Sequence, residues 1–253
     1  MDLGIRGRSA IICASSKGLG KGCAQALAEA GCNLVVNGRD RETLAQTAKQ
    51  LRDYGVSVIE IAGDISDRGC QKDLLAVCPA PDILINNNGG PPRRDFRELD
   101  REAIIGGVVQ NMVTPIELVQ AVVDGMAERG FGRIVNITSL SVYMPISGLD
   151  LSSGARAGLT SFLAGIARNV AAHNVTINNL LPGKLDTDRL RGAFAKDGNL
   201  DEQKARLAAE IPARRLGTAE EFGKICAFLC SVHAGYLTGQ NIPVDGGLYV
   251  SAF

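Results

Sequence analysis

The chain has 253 residues, and its 27 basic and 27 acidic side chains give a formal net charge of zero. This balance excludes the basic footprint of a nucleic-acid-binding or anionic-membrane-binding protein. Two histidines and seven scattered cysteines without a CxxC pair disfavour a zinc site, a Ser–His–Asp triad and a disulfide framework. No apolar run reaches 18 residues and the amino terminus has no apolar signal region. We therefore expect a soluble, cytoplasmic protein with no metal site.

Short apolar runs alternate with longer amphipathic runs along the chain. The runs predict seven strands, at residues 9–14, 33–38, 56–65, 82–87, 133–138, 176–183 and 240–247. The amphipathic stretches predict helices at 20–31, 41–54, 101–128, 152–172 and 218–231. This alternation implies βαβ crossovers. We predict one α/β domain over residues 1–253, a Rossmann-type doubly wound parallel sheet of about seven strands with helices on both faces.

Two segments between these elements leave alternatives open. Residues 184–217 are charged, contain several glycines and show no strand pattern, so they are a substrate lid or a solvated helical excursion. Residues 89–96, "GGPPRRDF", contain Arg93 and Arg94. They form a rim that admits an anionic substrate, or only a solvated turn.

A glycine-rich turn, "CASSKGLGKG" at residues 13–22, follows the first strand and opens the first helix. A pyrophosphate at a helix N-terminus needs exposed backbone N–H groups, and glycine where a Cβ would block its approach. Gly18 and Gly20 meet that need, although the full G-x-G-x-x-G spacing is absent. The turn predicts a dinucleotide site.

The end of the second strand bears on the choice of nicotinamide cofactor. An acidic residue there accepts from the ribose of NAD, whereas an arginine accommodates the 2′-phosphate of NADP. Asn37 occupies the expected acidic position, Arg39 follows it, and Lys17 lies in the glycine turn. Asp40 could neutralise Arg39, and Arg39 could also be part of a solvated helix start. We expect NADP(H) to be preferred, with NAD(H) possible.

Ordered motifs extend this picture. They match the motifs of one family in the same order. The family's T-G-x-x-x-G-x-G turn matches residues 13–20, its adenine-contacting aspartate matches Asp64, and its N-N-A-G matches residues 86–89. Its helix asparagine matches Asn111, its catalytic serine matches Ser139, its P-G-x-x-x-T matches residues 182–187, and its D-G-G matches residues 245–247. The chain thus resembles the short-chain dehydrogenase/reductase family from about residue 5 to 250. Within it, the chain is similar to the 3-oxoacyl-acyl-carrier-protein-reductase-like branch.

This resemblance implies hydride transfer between a nicotinamide cofactor and a small-molecule substrate. It implies cofactor contacts from Ser15, Ser16, Lys17, Gly18, Leu19, Gly20, Arg39, Asp64, Ile65, Asn87, Asn88, Gly89, Arg156, Pro182, Gly183, Leu185 and Thr187. It also implies a homotetramer or homodimer, assembled through the helices at 101–128 and 152–172.

The family's catalytic YxxxK pair is replaced here. Thirteen residues after Ser139 stands Ser152, and four further on stands Arg156. Residues four apart on a helix share a face, so the cation can still act beside the hydroxyl. Arg156 can hold ribose hydroxyls but cannot release a proton, and a serine is a far weaker and shorter acid than a tyrosine. A positioned acid supplies about 10²–10⁴-fold, or roughly 3–5 kcal/mol.

The substitution therefore predicts a handicapped reductase or an inert NADP(H)-binding homologue. Binding in the right geometry supplies ~7–11 kcal/mol without any acid. Activated ketones, imines and polarised C=C bonds would need the least acid assistance. The proton could come from Tyr143 in the loop after the fifth strand, or from a relay through Ser139, Ser152 and water. Asn111 could orient such a water or Ser139, and Lys184 is a further candidate that also fits a surface lysine.

Overall fold

A single parallel sheet organises the computed structural model, which describes residues 1–91, 93–194 and 199–251. Its seven strands lie in the order β3-β2-β1-β4-β5-β6-β7, and each neighbouring pair is parallel. The strands are β1 (Ser9–Ile12), β2 (Asn33–Gly38), β3 (Val58–Ala62), β4 (Ile83–Asn86), β5 (Gly132–Ile137), β6 (Val175–Pro182) and β7 (Asn241–Val244). The predicted fold class is confirmed.

Helices cover both faces of the sheet. Within the described ranges they are α1 (Gly18–Glu29), α2 (Arg41–Arg52), α3 (Arg68–Val77), α4 (Arg101–Val108), α5 (Thr114–Glu128), α6 (Asp150–Val170), α7 (Asp188–Phe194), α8 (Leu200–Ala209) and α9 (Ala219–Leu229). Buried residues of α1, α2 and α9 form one hydrophobic core with one face of the sheet. Buried residues of α3, α5 and α6 form a second core against the other face. This two-sided burial explains why the strands are almost continuously apolar.

The predicted elements differ from the observed ones in three places. Helix α3 was not predicted, because its ten residues contribute only Cys70, Gln71 and Leu74 to the interior. The predicted helix 101–128 is interrupted by a π-helical turn, Val109–Val113. Residues 184–217 contain α7 and α8 and close on a bridge between Leu185 and Gly217, with residues 195–198 outside the described part. The described part of this segment is thus largely helical, and both alternatives, a substrate lid and a solvated helical excursion, stay predictions.

The order of the strands fixes where a ligand can bind. The chain leaves β1 toward β2 on one side and returns to β4 on the other side, so the direction of winding reverses between β1 and β4. Open α/β sheets bind ligands beyond the carboxyl ends of their strands at such a point. The carboxyl ends of β1, β4, β5 and β6 all lie at this edge, because the paired strands are parallel and in register.

Two further features concern membrane-spanning helices and metal-binding clusters. Across the described residues, no helix combines the length and apolarity that crossing a bilayer requires. The same residues contain no group of three or more His, Cys, Asp or Glu side chains arranged to hold a metal ion.

Candidate active site

The first βα turn is shaped by backbone contacts. Ser15 is fully buried, its Oγ donates to the carbonyl of Ile12 at 2.8 Å, and its N–H donates to the carbonyl of Asn37 at 2.7 Å. A Cβ added to Gly20 would lie 2.4 Å from the carbonyl oxygen of Ala14. Gly18 has a φ of +59° and faces open space. Glycine is therefore required at position 20, where the chain turns back on itself, and at position 18 the left-handed backbone favours it.

Three side chains in or beside this turn have hydrogen-bonding or packing roles. Thr47 of α2 donates to the carbonyl of Ser16 at 2.7 Å, and Leu19 packs against the core under α1. Cys13 takes the place of the threonine in the T-G-x-x-x-G-x-G motif discussed above. Burial raises the pKa of its thiol to about 12. The Cys13 thiol is thus a packing group and not a nucleophile.

Asn37, expected to occupy the position that meets the cofactor ribose, instead points into the protein. The Asn37 side chain is buried, and its Nδ2 donates to the carbonyls of Ile61 and Gly63 at 3.0 and 3.1 Å. The next residue, Gly38, faces the glycine turn, since a Cβ there would lie 2.8 Å from Cβ of Ser16. Arg39 follows with an exposed side chain. No carboxylate therefore precedes Arg39 at the surface of this turn.

Lys17 and Asp40 flank the same surface. Lys17 is exposed at the N-cap position of α1. The Asp40 carboxylate accepts from the N–H of Thr43 at 2.8 Å and so caps α2. This hydrogen bonding lowers the pKa of Asp40, with a smaller contribution from Lys17. Asp40 thus serves the helix N-terminus, and no ion pair between it and Arg39 occurs among the described residues.

The turn after β4 is joined to the turn after β1. Asn87 donates through Nδ2 to the carbonyl of Ala14 at 3.0 Å. Asn88 donates to Ser66 Oγ at 2.9 Å, and Asp64 accepts from the N–H of Ser66 at 2.8 Å. Gly89 is exposed and faces open space. Residues from the ends of β1, β3 and β4 are thus brought together, while Ile65 lies buried behind them.

A hydroxyl and a cation meet at the carboxyl end of β5. Ser152 and Arg156 of α6 are 5% and 7% exposed, and Nε of Arg156 donates to Oγ of Ser152 at 3.2 Å. The guanidinium also donates to the carbonyl of Ile137 at 2.6 Å and to that of Asn88 at 3.5 Å. Ser139 is the second residue after β5, and its Oγ accepts from the N–H of Ser141 at 3.1 Å. Arg156 therefore links α6 to the ends of β4 and β5.

The Tyr143 side chain contacts residues at and beyond β7. It is 39% exposed, its ring stacks on Tyr249 at 5.0 Å, and its hydroxyl donates to the carbonyl of Asn241 at 3.3 Å. Asn241 lies on the edge strand β7, two strands away from β5. In this conformation the Tyr143 hydroxyl is committed to β7, which does not favour the predicted relocated acid.

Asn111 lies inside the π-helical turn and is 2% exposed. Its Nδ2 donates to the carbonyl of Gly107 at 3.3 Å, one turn earlier. Its Oδ1 is buried without a hydrogen-bond partner among the described residues. No hydrogen bond joins Asn111 to Ser139 within the described part of the chain, so the orientation of Ser139 by Asn111 stays a prediction.

The loop after β6 contacts the end of β7 and the residues that follow it. The N–H of Gly183 donates to the carbonyl of Val244 at 3.0 Å, and a Cβ there would lie 2.6 Å from Cβ of Asp245. Leu185 is buried beyond Pro182, and Thr187 Oγ1 accepts from the N–H of Leu190 at 3.4 Å. This loop is therefore anchored to the D-G-G segment that follows β7.

Charged side chains around the segment 184–217 pair with one another. Lys184 forms an ion pair with Glu210, which agrees with a surface lysine. Asp186 accepts from Arg191 at 2.9 Å and from Lys204 at 2.8 Å. The hydrogen bond from Arg191 lowers the pKa of Asp186, and Lys204 adds to the effect. These pairs hold α7 and α8 to the loop after β6.

The predicted arginine rim lies beside the loop that carries Tyr143. Arg93 and Arg94 are exposed, and the N–H of Arg94 donates to the carbonyl of Gly148 at 3.2 Å. Pro92 lies outside the described residues. The geometry leaves the rim and the solvated turn as open alternatives.

Sequence reasoning missed a row of four asparagines behind the site. Asn86, Asn136, Asn179 and Asn241 lie side by side in β4, β5, β6 and β7, joined by side-chain hydrogen bonds of 2.9, 2.9 and 2.7 Å. A signal was available, because Asn86 and Asn136 each interrupt an apolar run near the carboxyl end of a predicted strand, and Asn179 and Asn241 also lie within predicted strands.

The fold and this set of residues define a class of protein. A sequence profile described as enoyl-(acyl carrier protein) reductase matches residues 13–249. The chain therefore belongs to the short-chain dehydrogenase/reductase family, and the resemblance found in its sequence is confirmed.

Individual relatives cover nearly the full length. The chain is 33% identical to the NADPH-dependent reductase BacG of Bacillus subtilis over 251 residues, which are 95% of this chain and 97% of that protein. It is 29% identical to the 3-oxoacyl-acyl-carrier-protein reductase FabG of Vibrio harveyi over 250 residues, 98% and 100% of the two chains. It superposes on the crystal structure of L-sorbose reductase from Gluconobacter frateurii complexed with NADPH and L-sorbose with a TM-score of 0.93, at 27% identity over 99% and 100% of the chains.

Proposed function

We propose that this chain is one dinucleotide-binding catalytic domain, an NADP(H)-dependent oxidoreductase with an altered proton-transfer apparatus. Its substrate would be a small carbonyl or alcohol, or a related C=N or C=C compound. The preference for NADP(H) is supported by the exposed Lys17 and Arg39, which no surface carboxylate precedes. It is further supported by two relatives whose names or structure titles specify NADPH.

The first turn fits a dinucleotide. Gly18 and Gly89 face open space on either side of the crevice, and the missing Cβ at Gly20 lets the turn fold tightly against the carbonyl of Ala14. The residues that would hold the cofactor are Ser15, Ser16, Lys17, Gly18, Leu19, Gly20, Arg39, Asp64, Ile65, Asn87, Asn88, Gly89, Arg156, Pro182, Gly183, Leu185 and Thr187. When bound, the nicotinamide supplies or accepts the hydride.

One observation carries the proposal for the chemistry. Nε of Arg156 donates to Oγ of Ser152 at 3.2 Å, and both side chains are buried. Because the serine oxygen accepts from the guanidinium, its own proton is available to a substrate oxygen, and the permanent cation stabilises the charge left behind. Ser139, at the end of the neighbouring strand, would donate a hydrogen bond to the same substrate oxygen.

This pair remains a weak acid, and that limits the substrate. A positioned acid of matched pKa is worth about 10²–10⁴-fold, most of which a serine cannot supply. Less of that assistance is needed where the hydride adduct is a stabilised anion, or where a protonated imine is reduced directly to a neutral amine. The proposal therefore favours activated ketones, imines and polarised C=C bonds over simple ketones.

An inert NADP(H)-binding homologue is the second candidate. It is favoured by the contacts of Arg156 with the carbonyls of Ile137 and Asn88, because they give this residue a structural use that needs no turnover. The two candidates agree on cofactor binding and differ only in catalysis.

The test combines calorimetry with a turnover screen. We expect the wild type to bind NADPH more tightly than NADH and to oxidise NADPH with some members of a panel of ketones, imines and enones. Ser152→Ala should lower kcat at least about 10-fold with little change in the Kd for NADPH, since the acid is lost and the cofactor contacts remain. The matched control is Ser153→Ala, because Ser153 Oγ donates to the carbonyl of Leu149 within α6.

Other outcomes would identify a different proton donor or show that the protein does not catalyse hydride transfer. No NADPH oxidation by the wild type, together with turnover by the Ser152→Tyr/Arg156→Lys double variant, would establish the inert homologue. Loss of activity on Tyr143→Phe would identify Tyr143 as the acid, after movement of its loop away from Asn241. Absence of binding to either NADPH or NADP⁺ would end both candidates.

We also propose a homotetramer or homodimer assembled through α4, α5 and α6. The proposal is supported by large apolar side chains that these helices expose: Ile104 and Ile105 are 45% and 51% exposed, and Phe162 is 48% exposed. Light scattering coupled to size exclusion measures the mass directly, and a monomer at micromolar concentration would contradict the proposal.

A further inference from the structure

A small cavity behind Arg156 is lined by three polar atoms that lack partners. It lies between the end of β4, the π-helical turn and the start of α5. Asn86 Oδ1, Asn111 Oδ1 and Thr114 Oγ1 are buried and have no hydrogen-bond partner among the described residues. Their residues are 4%, 2% and 2% exposed, and all three line this cavity. A buried polar atom left unsatisfied costs about 1–3 kcal/mol, so three around one cavity indicate a missing partner.

The orientations of the two amides are fixed by carbonyl groups. Nδ2 of Asn86 donates to the carbonyl of Pro115 at 3.3 Å, and Nδ2 of Asn111 donates to that of Gly107 at 3.3 Å. A carbonyl can only accept, so neither amide can be turned around without losing its bond. The Oδ1 atoms are therefore the groups left over, and both are acceptors.

The asparagine row ends at this cavity. Asn86 donates to Asn136, Asn136 donates to Asn179, and Asn179 donates to Asn241. All three bonds run in one direction, so the amide dipoles align, with their oxygen end at Asn86 and their nitrogen end at β7. Aligned hydrogen bonds polarise one another, which strengthens Asn86 Oδ1 as an acceptor.

We propose that this cavity binds one ordered water molecule. Water has the required valences: it donates one proton to Asn86 Oδ1 and one to Asn111 Oδ1, and it accepts from the hydroxyl of Thr114. The cavity has about 20 Å³ open to the centre of a water molecule. A single water needs ~10–15 Å³ on that measure, together with two to four polar partners.

Other small ligands fit this site poorly. An anion would face two acceptor oxygens, and a metal cation would face the guanidinium of Arg156, which lines the same cavity. The water joins Asn111 to the sheet through Asn86, which assigns Asn111 a positioning role that does not pass through Ser139. This inference does not depend on turnover or on cofactor binding.

Two buried threonines provide a matched test by urea unfolding. Thr114 and Thr176 are each 2% exposed, and neither hydroxyl has a hydrogen-bond partner among the residues that the structure describes, but of the two only Thr114 lines the cavity. If the water is present, Thr114→Val removes a real hydrogen bond and should raise the unfolding equilibrium constant about 5- to 30-fold. Thr176→Val should leave it unchanged or lower it, because no bond is lost. Thr114→Ser should retain most of the wild-type stability.

A crystal structure of the wild-type protein gives a second readout that needs no variant. We expect one density peak at hydrogen-bond distance from Asn86 Oδ1, Asn111 Oδ1 and Thr114 Oγ1, and its loss in Thr114→Val. An empty cavity in the wild type, or a Thr114→Val variant as stable as Thr176→Val, would overturn the proposal. Failure of the chain to bind NADPH would leave both readouts intact.

Discussion

Gly20→Ala tests the glycine turn most directly. In a helix this change normally stabilises a protein by about 0.5–1 kcal/mol, because glycine loses more backbone freedom on folding. Here the new Cβ would lie 2.4 Å from the carbonyl oxygen of Ala14 and 2.9 Å from Cα of Ser15. Both are backbone atoms of a turn that Asn87 holds through its own bond to the Ala14 carbonyl. The turn must therefore move as a unit.

The size of the effect follows from these contacts. Overpacking a rigid site costs about 1–3 kcal/mol, which exceeds the gain in backbone entropy. We expect a net loss of roughly 1–2 kcal/mol in the free energy of unfolding. Displacing the carbonyl of Ala14 also moves the N–H groups at Gly18, and we expect the Kd for NADPH to rise at least about 10-fold, or ~1.4 kcal/mol.

Two control variants separate folding from binding in this experiment. Gly154→Ala, on an exposed position of α6 with open space around it, should stabilise the protein or leave it unchanged. Gly22→Ala should destabilise it, because its Cβ would meet the carbonyl of Ala219 in α9 at 2.0 Å. Once folded, Gly22→Ala should bind NADPH nearly as the wild type does. Wild-type NADPH affinity and stability in Gly20→Ala, measured by calorimetry and urea unfolding, would refute this account of the turn.

Two further predictions concern stability away from the crevice. Arg133 is 1% exposed at the start of β5 and donates to the carbonyls of Gly132, Asn174 and Ser231. Arg133→Met should lower the free energy of unfolding, measured in urea, by about 3–5 kcal/mol without changing the affinity for NADPH. A loss below about 1 kcal/mol would contradict the role of this network. Hydrogen bonds from Arg215, and also from the backbone N–H of Thr218, lower the pKa of Glu221 from its ordinary value of 4.5 to about 2. Because that pKa is lowered on folding, its stabilising effect is present above pH 4.5 and is lost as the pH falls toward 2. The difference in urea midpoint between wild type and Glu221→Gln should therefore shrink over this range, and a difference that stays constant down to pH 2 would disprove the assignment.

The periodicity of apolar residues was enough to predict the sheet, but it did not predict the contacts of individual polar side chains. Every predicted strand exists because continuous apolar runs can be buried only between two layers of helices. Helix α3 escaped detection because a helix that buries few side chains has a weak periodic signal. Strand β2 ends at Gly38 as predicted, but the Asn37 side chain, expected to face the cofactor ribose, points into the interior. In a strand, neighbouring side chains point to opposite faces, and it is the next residue, Gly38, that faces the turn.

The candidate site shows the same division. Helical spacing placed Ser152 beside Arg156, and the hydrogen bond between them agrees with that expectation. The direction of Tyr143 could not be predicted from its four-residue distance to Ser139, because its partner, the carbonyl of Asn241, lies about 100 residues further along the chain. Partners that distant in sequence are brought together only by the order of strands in the sheet.

The contacts of Arg156 bear on the proposed replacement of the family's catalytic pair by Ser152 and Arg156. The guanidinium reaches past Ser152 to the carbonyls of Ile137 and Asn88, so it fixes the end of β5 relative to the end of β4. Those two ends carry the proposed substrate-side hydroxyl and the proposed cofactor-side turn. An arginine can hold them with several donors at once, which a lysine ammonium on a flexible stem does less rigidly. Under the proposed assignment, the exchange would preserve geometry at the expense of acidity, and such a site would gain most where orientation dominates the barrier and proton donation contributes little.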